Sequence, residues 1–180
     1  KINRNFHWMS TFTPRADLME HTLVLAEKGW GTTHPNPMVG CLIEEDGQVV
    51  AEGFHQQAGG PHAEVVALQN LGRKPKEGAV LYVSLEPCSS TGRTPPCTLA
   101  IMDAGIKKVV VCAIDPDDRH AGRGLDLLRE QGVEVVLAPP EPGERVARLN
   151  FIFNQYIITG RPLIALKMAT SANGMVAERA

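Results

Sequence analysis

The chain has 180 residues, 43% of them hydrophobic and 21% charged, with a formal net charge of −2 and four cysteines. That is enough for one domain with a core that folds without disulfides, so the cysteines are read for chemistry before crosslinking. The slight acidity and the lack of any block of like charges argue against a nucleic-acid binder, and no segment approaches the roughly 18 apolar residues of a membrane span.

The expected partner is therefore a small molecule, with no nucleic acid and no membrane, and the expected compartment is the cytoplasm. The opening KINRNFHWM is too polar for a secretory signal. Residues 1–13 are set aside as a leader, vector-derived or an upstream extension, with Met9 a candidate native start. Thr13 and Pro14 then read as N-cap and first residue of a helix whose apolar positions Leu18, Leu23, Val24 and Ala26 lead to Gly29. Residues 39–43 and 49–54 are short apolar runs around Asp46-Gly47, which favours a tight turn between antiparallel strands. After Pro61, the spacing of Val65, Val66, Leu68 and Leu71 predicts a second helix ending at Gly72.

From residue 79 the pattern becomes strand then helix, repeated: AVLYVSL, TLAIMDAG, KKVVVCAI, GLDLLREQG, VEVVL. Alternation of this kind indicates parallel pairing through right-handed crossovers. The prediction is a three-layer α/β/α fold with a mixed five-stranded sheet, one hairpin edge, and helices on both faces. PPEPGE (139–144) reads as a break, followed by a last amphipathic helix through about Tyr156. The tail 161–180 starts like a fresh strand. Cys41 and Cys112 lie inside apolar runs and read as small buried hydrophobes.

The chemistry concentrates in GGPHAEVVAL (59–68) and SLEPCSSTGRTPPCTLAI (84–101). Residues two apart in a regular helix point about 200° away from each other, so His62 and Glu64 share one site only if His62 sits in the approach and Glu64 in the first turn. The free amides there also favour a carboxylate. Cys88 falls just past a predicted strand end and Cys97 at the entrance to the next helix. One imidazole and two thiolates are ligands zinc prefers, and three of them leave a fourth position open to water, the mark of a catalytic site. Helix N-termini and the cation itself lower thiol pKa values, so both cysteines are expected as anions. An HxE followed by PC and a second cysteine resembles the zinc deaminases, where the glutamate carries protons and is not a ligand. Here eight residues separate the two cysteines.

HPNPMVGCLI (34–43), GFHQQAGGPHAEVVAL (53–68) and LYVSLEPCSSTGRTPPCTLAIMDAGIKKVVV (81–111) closely resemble the deaminase half of the bifunctional riboflavin-biosynthesis deaminase/reductases. GRPLIALKMATSANG (160–174) is similar to the opening strand of their reductase half. The resemblance implies a sheet of the cytidine-deaminase-like type, a deaminase domain over 14–158, and a truncated start of a reductase domain over 159–180, with the reductase half otherwise absent. It implies Zn2+ at His62, Cys88 and Cys97, Glu64 as catalytic proton carrier, and a homo-oligomer. The implied substrate is a phosphorylated pyrimidine, 2,5-diamino-6-(5-phosphoribosylamino)pyrimidin-4(3H)-one. Asn36 and His55 would meet the pyrimidine or its neighbouring groups, Arg93 the phosphate and Asp115 the ribose; a guanidinium suits bidentate phosphate binding.

Three places depart from the family. Ser90 stands where a histidine is usual, DPDDRHAG (115–122) where DPNPxVAG is usual, and SANG where SLDG is usual. Asp117 adds a negative charge beside the implied phosphoribosyl site, to be offset by Arg119 or His120. Two other readings stay open: a deaminase of another nucleobase, nucleoside or tRNA with the same zinc chemistry, and a non-catalytic zinc module closed by a fourth ligand, with His34 and His55 as candidates.

Overall fold

The structure is a computed structural model and describes residues 12–92 and 95–176. The elements in chain order are α1 (Ala16–Glu27), β1 (Gly40–Glu45), β2 (Gln48–Phe54), α2 (Ala63–Leu71), β3 (Val80–Val83), α3 (Cys97–Ala104), β4 (Lys108–Val111), α4 (Arg123–Glu130), β5 (Glu134–Leu137), α5 (Pro140–Leu149) and α6 (Phe151–Thr159). The five strands form one sheet in the order β2-β1-β3-β4-β5. β1 pairs antiparallel with both β2 and β3, while β3–β4 and β4–β5 are parallel, which is the mixed sheet expected from the sequence.

Alternation along the strands divides the core in two. Cys41, Ile43, Leu81, Val83, Val109 and Val111 point to one face, where they meet Ala63 and Ala67 of α2, Ile101 of α3 and Leu125 and Leu128 of α4. Leu42, Tyr82, Val110 and Cys112 point to the other face, against Leu18, Met19 and Leu23 of α1 and Val146 of α5. Cys41 and Cys112 are free and buried, as their apolar surroundings predict. The hairpin turn has Asp46 at φ 52° and Gly47 at φ 82°, the doubly left-handed geometry that Asp-Gly favours.

Four local expectations need correction. The N-cap of α1 is Arg15 rather than Thr13. The Arg15 guanidinium pairs with Asp17 and donates to the Gly47 carbonyl at 2.8 Å, so the chain is fastened to the β1–β2 turn before the helix begins. Val24, expected on the inner face, is 48% exposed; the polar Thr22 is inside instead, its hydroxyl donating to the Met19 carbonyl at 2.7 Å. PPEPGE is no break either, because α5 starts within it with proline in its first turn, the place where a missing N–H costs nothing.

The expected last helix is two helices, α5 and α6, divided at Asn150. That side chain is buried and bonds both backbone groups of Met38, accepting from its N–H at 2.7 Å and donating to its carbonyl at 3.0 Å. The helix path yields there to satisfy a contact 112 residues away in sequence. Residues 161–170 lie in no strand and are exposed, since the described tail has no ladder beside it to complete. Among the described residues no helix is long and apolar enough to cross a membrane.

Candidate metal centre

His62 is the N-cap of α2, with extended backbone at φ −75° and ψ 164°, and Glu64 already belongs to the first turn. This change of conformation lets side chains two apart line one cavity. The helix is held close to the sheet: a Cβ on Gly53 would lie 2.4 Å from the Ala67 nitrogen and 2.5 Å from the Ala63 oxygen, so only glycine permits the packing that seats His62 and Glu64. Cys88 lies in the loop after β3, and Cys97 opens α3.

The three side chains converge. His62 Nδ1 is 3.1 Å from Cys97 Sγ and 3.6 Å from Cys88 Sγ, and the three donor atoms lie within 4.8 Å of one another. An ion bonded at about 2.0 Å to nitrogen and about 2.3 Å to sulfur at a tetrahedral angle would set them about 3.5 Å apart. The donor set therefore fits zinc in spacing and in its mix of one nitrogen and two sulfurs. Among the described residues no fourth donor joins the group. His34 is exposed. His55 has its ring centroid 5.3 Å from that of His62, but both its nitrogens are engaged elsewhere.

The electrostatics suit the same use. The neighbouring Cys97 holds the Cys88 thiol well below the usual range, while Cys88 and burial push the Cys97 thiol up. The sulfur of Cys88 also accepts the Cys97 backbone N–H at 3.3 Å. The hydrogen bond to Cys88 raises His62. Glu64 is 3% exposed, and burial pushes its carboxyl up to about 7.

A cavity of about 260 Å³ opens over these groups, lined by His62, Glu64 and Cys88 together with Asn36, His55 and Asp115. Cys97 is fully buried beneath it. Arg93 lies outside the described residues. The Pro61 carbonyl can only accept, so His55 Nδ1, 2.9 Å away, carries the proton; burial holds the ring neutral, and Nε2 accepts the Asn36 amide N–H at 3.1 Å. Asn36 lines the cavity beside this bond.

Asp117 does not act as a free charge in this cavity. It is buried in its own turn, accepting from the Arg119 backbone N–H at 2.9 Å and from Arg119 Nε and Nη2 at 2.9 and 2.6 Å, and Arg119 holds it well below the usual carboxylate range. Of the two offsetting partners expected, Arg119 is the one in contact; His120 Nε2 is 4.0 Å away and lines the cavity. Sequence reasoning missed Glu86 and Phe153, which also line it. A signal existed for Glu86, the one charged residue in the run from Ala79 to Cys88.

Comparison with known proteins agrees with this chemistry. The family model described as the cytidine and deoxycytidylate deaminase zinc-binding region matches residues 13–113. The riboflavin biosynthesis protein RibD of Aquifex aeolicus is 48% identical over 159 residues, covering 88% of this chain and 44% of that protein; RibD of Escherichia coli is 47% identical, with 88% and 42% covered. The solved structure of Acinetobacter baumannii RibD (form 1) superposes with a TM-score of 0.80 at 44% identity, over 87% of this chain and 43% of that one. A Thermotoga maritima diaminohydroxyphosphoribosylaminopyrimidine deaminase/5-amino-6-(5-phosphoribosylamino)uracil reductase gives 0.79 at 41%, over 88% and 45%. The chain spans less than half the length of these relatives.

Proposed function

Because the chain belongs to the family of the cytidine and deoxycytidylate deaminase zinc-binding region, we propose that it is a zinc-dependent hydrolytic deaminase acting on 2,5-diamino-6-(5-phosphoribosylamino)pyrimidin-4(3H)-one. The observation that carries the reading is the buried Glu64 carboxyl on the same cavity as the convergent His62, Cys88 and Cys97 donors. The similarity to RibD proteins supports the substrate.

His62 Nδ1 and the sulfurs of Cys88 and Cys97 would hold the zinc. When bound, zinc supplies the Lewis acidity that makes water a competent nucleophile near neutral pH. Glu64 takes a proton from the attacking water and delivers it to a ring nitrogen as the oxygen bonds to the amine-bearing carbon. It then carries a second proton to the departing nitrogen, so that the carbon–nitrogen bond breaks and ammonia leaves. A carboxyl held near 7 by burial is suited to both directions of transfer. Neutral His55 fixes the Asn36 amide, which presents an oxygen and an N–H to the pyrimidine edge. Asp115 faces the same cavity and is assigned to the ribose, and Arg93 to the phosphate.

Residues 14–158 form the deaminase unit in this reading, and 159–180 open a further unit of the reductase type. Exposure of the whole stretch 161–176 supports that division. The reading carries with it a homo-oligomer and a cytoplasmic location.

The test is to supply the phosphorylated diaminopyrimidinone, its dephosphorylated form, cytidine and guanine, and to follow ammonia. Release from the phosphorylated compound above the others is the expected result. Preferential release from cytidine or guanine would overturn the substrate.

A further inference from the structure

The cavity has two walls that come from different parts of the chain. One is the loop after β3, which carries Cys88; the other is the loop after β4, which carries Asp115 and His120. We propose that Glu86 is the positioning residue that braces these two loops together and thereby sets where Asp115 and His120 stand relative to the substrate. The inference rests on the deaminase reading above for its kinetic consequence, though not for its geometry.

Glu86 is 8% exposed and sits two residues before Cys88. One carboxylate oxygen accepts the backbone N–H of Asp115 at 3.2 Å and that of Gly122 at 2.8 Å. The other accepts the N–H of Gly124 at 2.9 Å. All three donors belong to the β4–α4 connection or the first turn of α4. Gly122, the N-cap of α4, has no side chain with which to cap the helix. The acceptor that a serine or aspartate would normally supply locally at that position comes instead from Glu86, 38 residues away from Gly124. Its negative charge also stands at the positive end of the helix.

The approach is close on every side. A Cβ on Gly124 would lie 2.1 Å from the Pro87 carbonyl oxygen, so the start of α4 rests directly on the residue between Glu86 and Cys88. Among the described residues, the hydrogen bonds between Asp115 and Gly122 are short-range: the Asp117–Arg119 cluster, the Asp117 N–H to Asp115, and the bonds from His120 and Ala121 back to the Asp117 carbonyl. The turn is thus hydrogen-bonded within itself, and Glu86 bonds it at both ends to the wall that carries Cys88.

The chemistry asks for a carboxylate. Three backbone N–H groups need acceptors on two oxygens, and glutamine has one oxygen and an NH2 group that would face one of the donors. Glu86→Gln should therefore weaken the brace and Glu86→Ala should remove it, leaving the buried Gly124 amide unsatisfied.

The experiment compares wild type, Glu86→Gln and Glu86→Ala for zinc content, kcat, KM and Tm, and measures amide hydrogen exchange at Asp115, Gly122 and Gly124 in the wild-type chain. The expected result is one zinc per chain throughout, KM raised about threefold in the glutamine variant and about tenfold in the alanine variant, and kcat within about threefold. The three wild-type amides should exchange slowly. An unchanged KM in Glu86→Ala with only a lowered Tm would reduce Glu86 to a structural residue and overturn the proposal. Should the variants not fold, the wild-type exchange still decides: amides as free as those of an exposed loop overturn the brace. If the wild type releases no ammonia from the pyrimidinone, the functional reading falls, while the exchange result judges the brace separately.

Discussion

The first backbone N–H of α3, that of Cys97, donates to the sulfur of Cys88 at 3.3 Å. The two cysteines are thus joined directly, and the amide end of the helix favours negative charge on the neighbouring sulfur. The proposed zinc site uses both sulfurs. Cys88→Ser and Cys97→Ser should each drop purified zinc from one per chain to a small fraction, measured by elemental analysis. Stoichiometric zinc in both variants would remove the ligand assignment.

Asn150 makes two bonds to Met38 from a buried position. Asn150→Ala leaves the N–H and carbonyl of Met38 without those partners and should cost about 2 kcal/mol of stability. Urea denaturation monitored by circular dichroism checks this. An unchanged midpoint and slope would mean that the division of α5 from α6 has another cause.

Glu45 is almost fully buried, and the Arg73 guanidinium, at 2.7 Å, holds its carboxyl down at about 2. The folded value lies below the ordinary one of 4.5, so this pair contributes stability above about pH 4.5 and loses it as pH falls toward 2. The arginine side chain is 46% exposed, so solvent screens the pair and its contribution is small. Arg73→Met should lower stability slightly at pH 7, with the gap to wild type closing by pH 2. A gap independent of pH would show that the loss is packing and not charge.

Much of this was legible in the sequence because it depends on local rules. The sheet follows from apolar runs punctuated by glycine, and the joint placement of His62 and Glu64 from the one place in a helix where residues two apart share a side. PPEPGE was opaque because proline begins helices as readily as it breaks chains. Asn150 and Glu86 were opaque for a deeper reason: their partners lie 112 and up to 38 residues away, and no periodicity encodes a bond between distant loops. Asp117 looked like a free charge because spacing alone does not reveal that Arg119 folds back onto it.

Zinc content and ammonia release, measured together on Glu64→Gln, test the central claim most directly. The amide keeps the shape of the carboxylate but cannot shuttle protons, so one zinc per chain should persist while turnover falls by a factor of about 100 or more. Zinc retained with wild-type turnover would contradict the account.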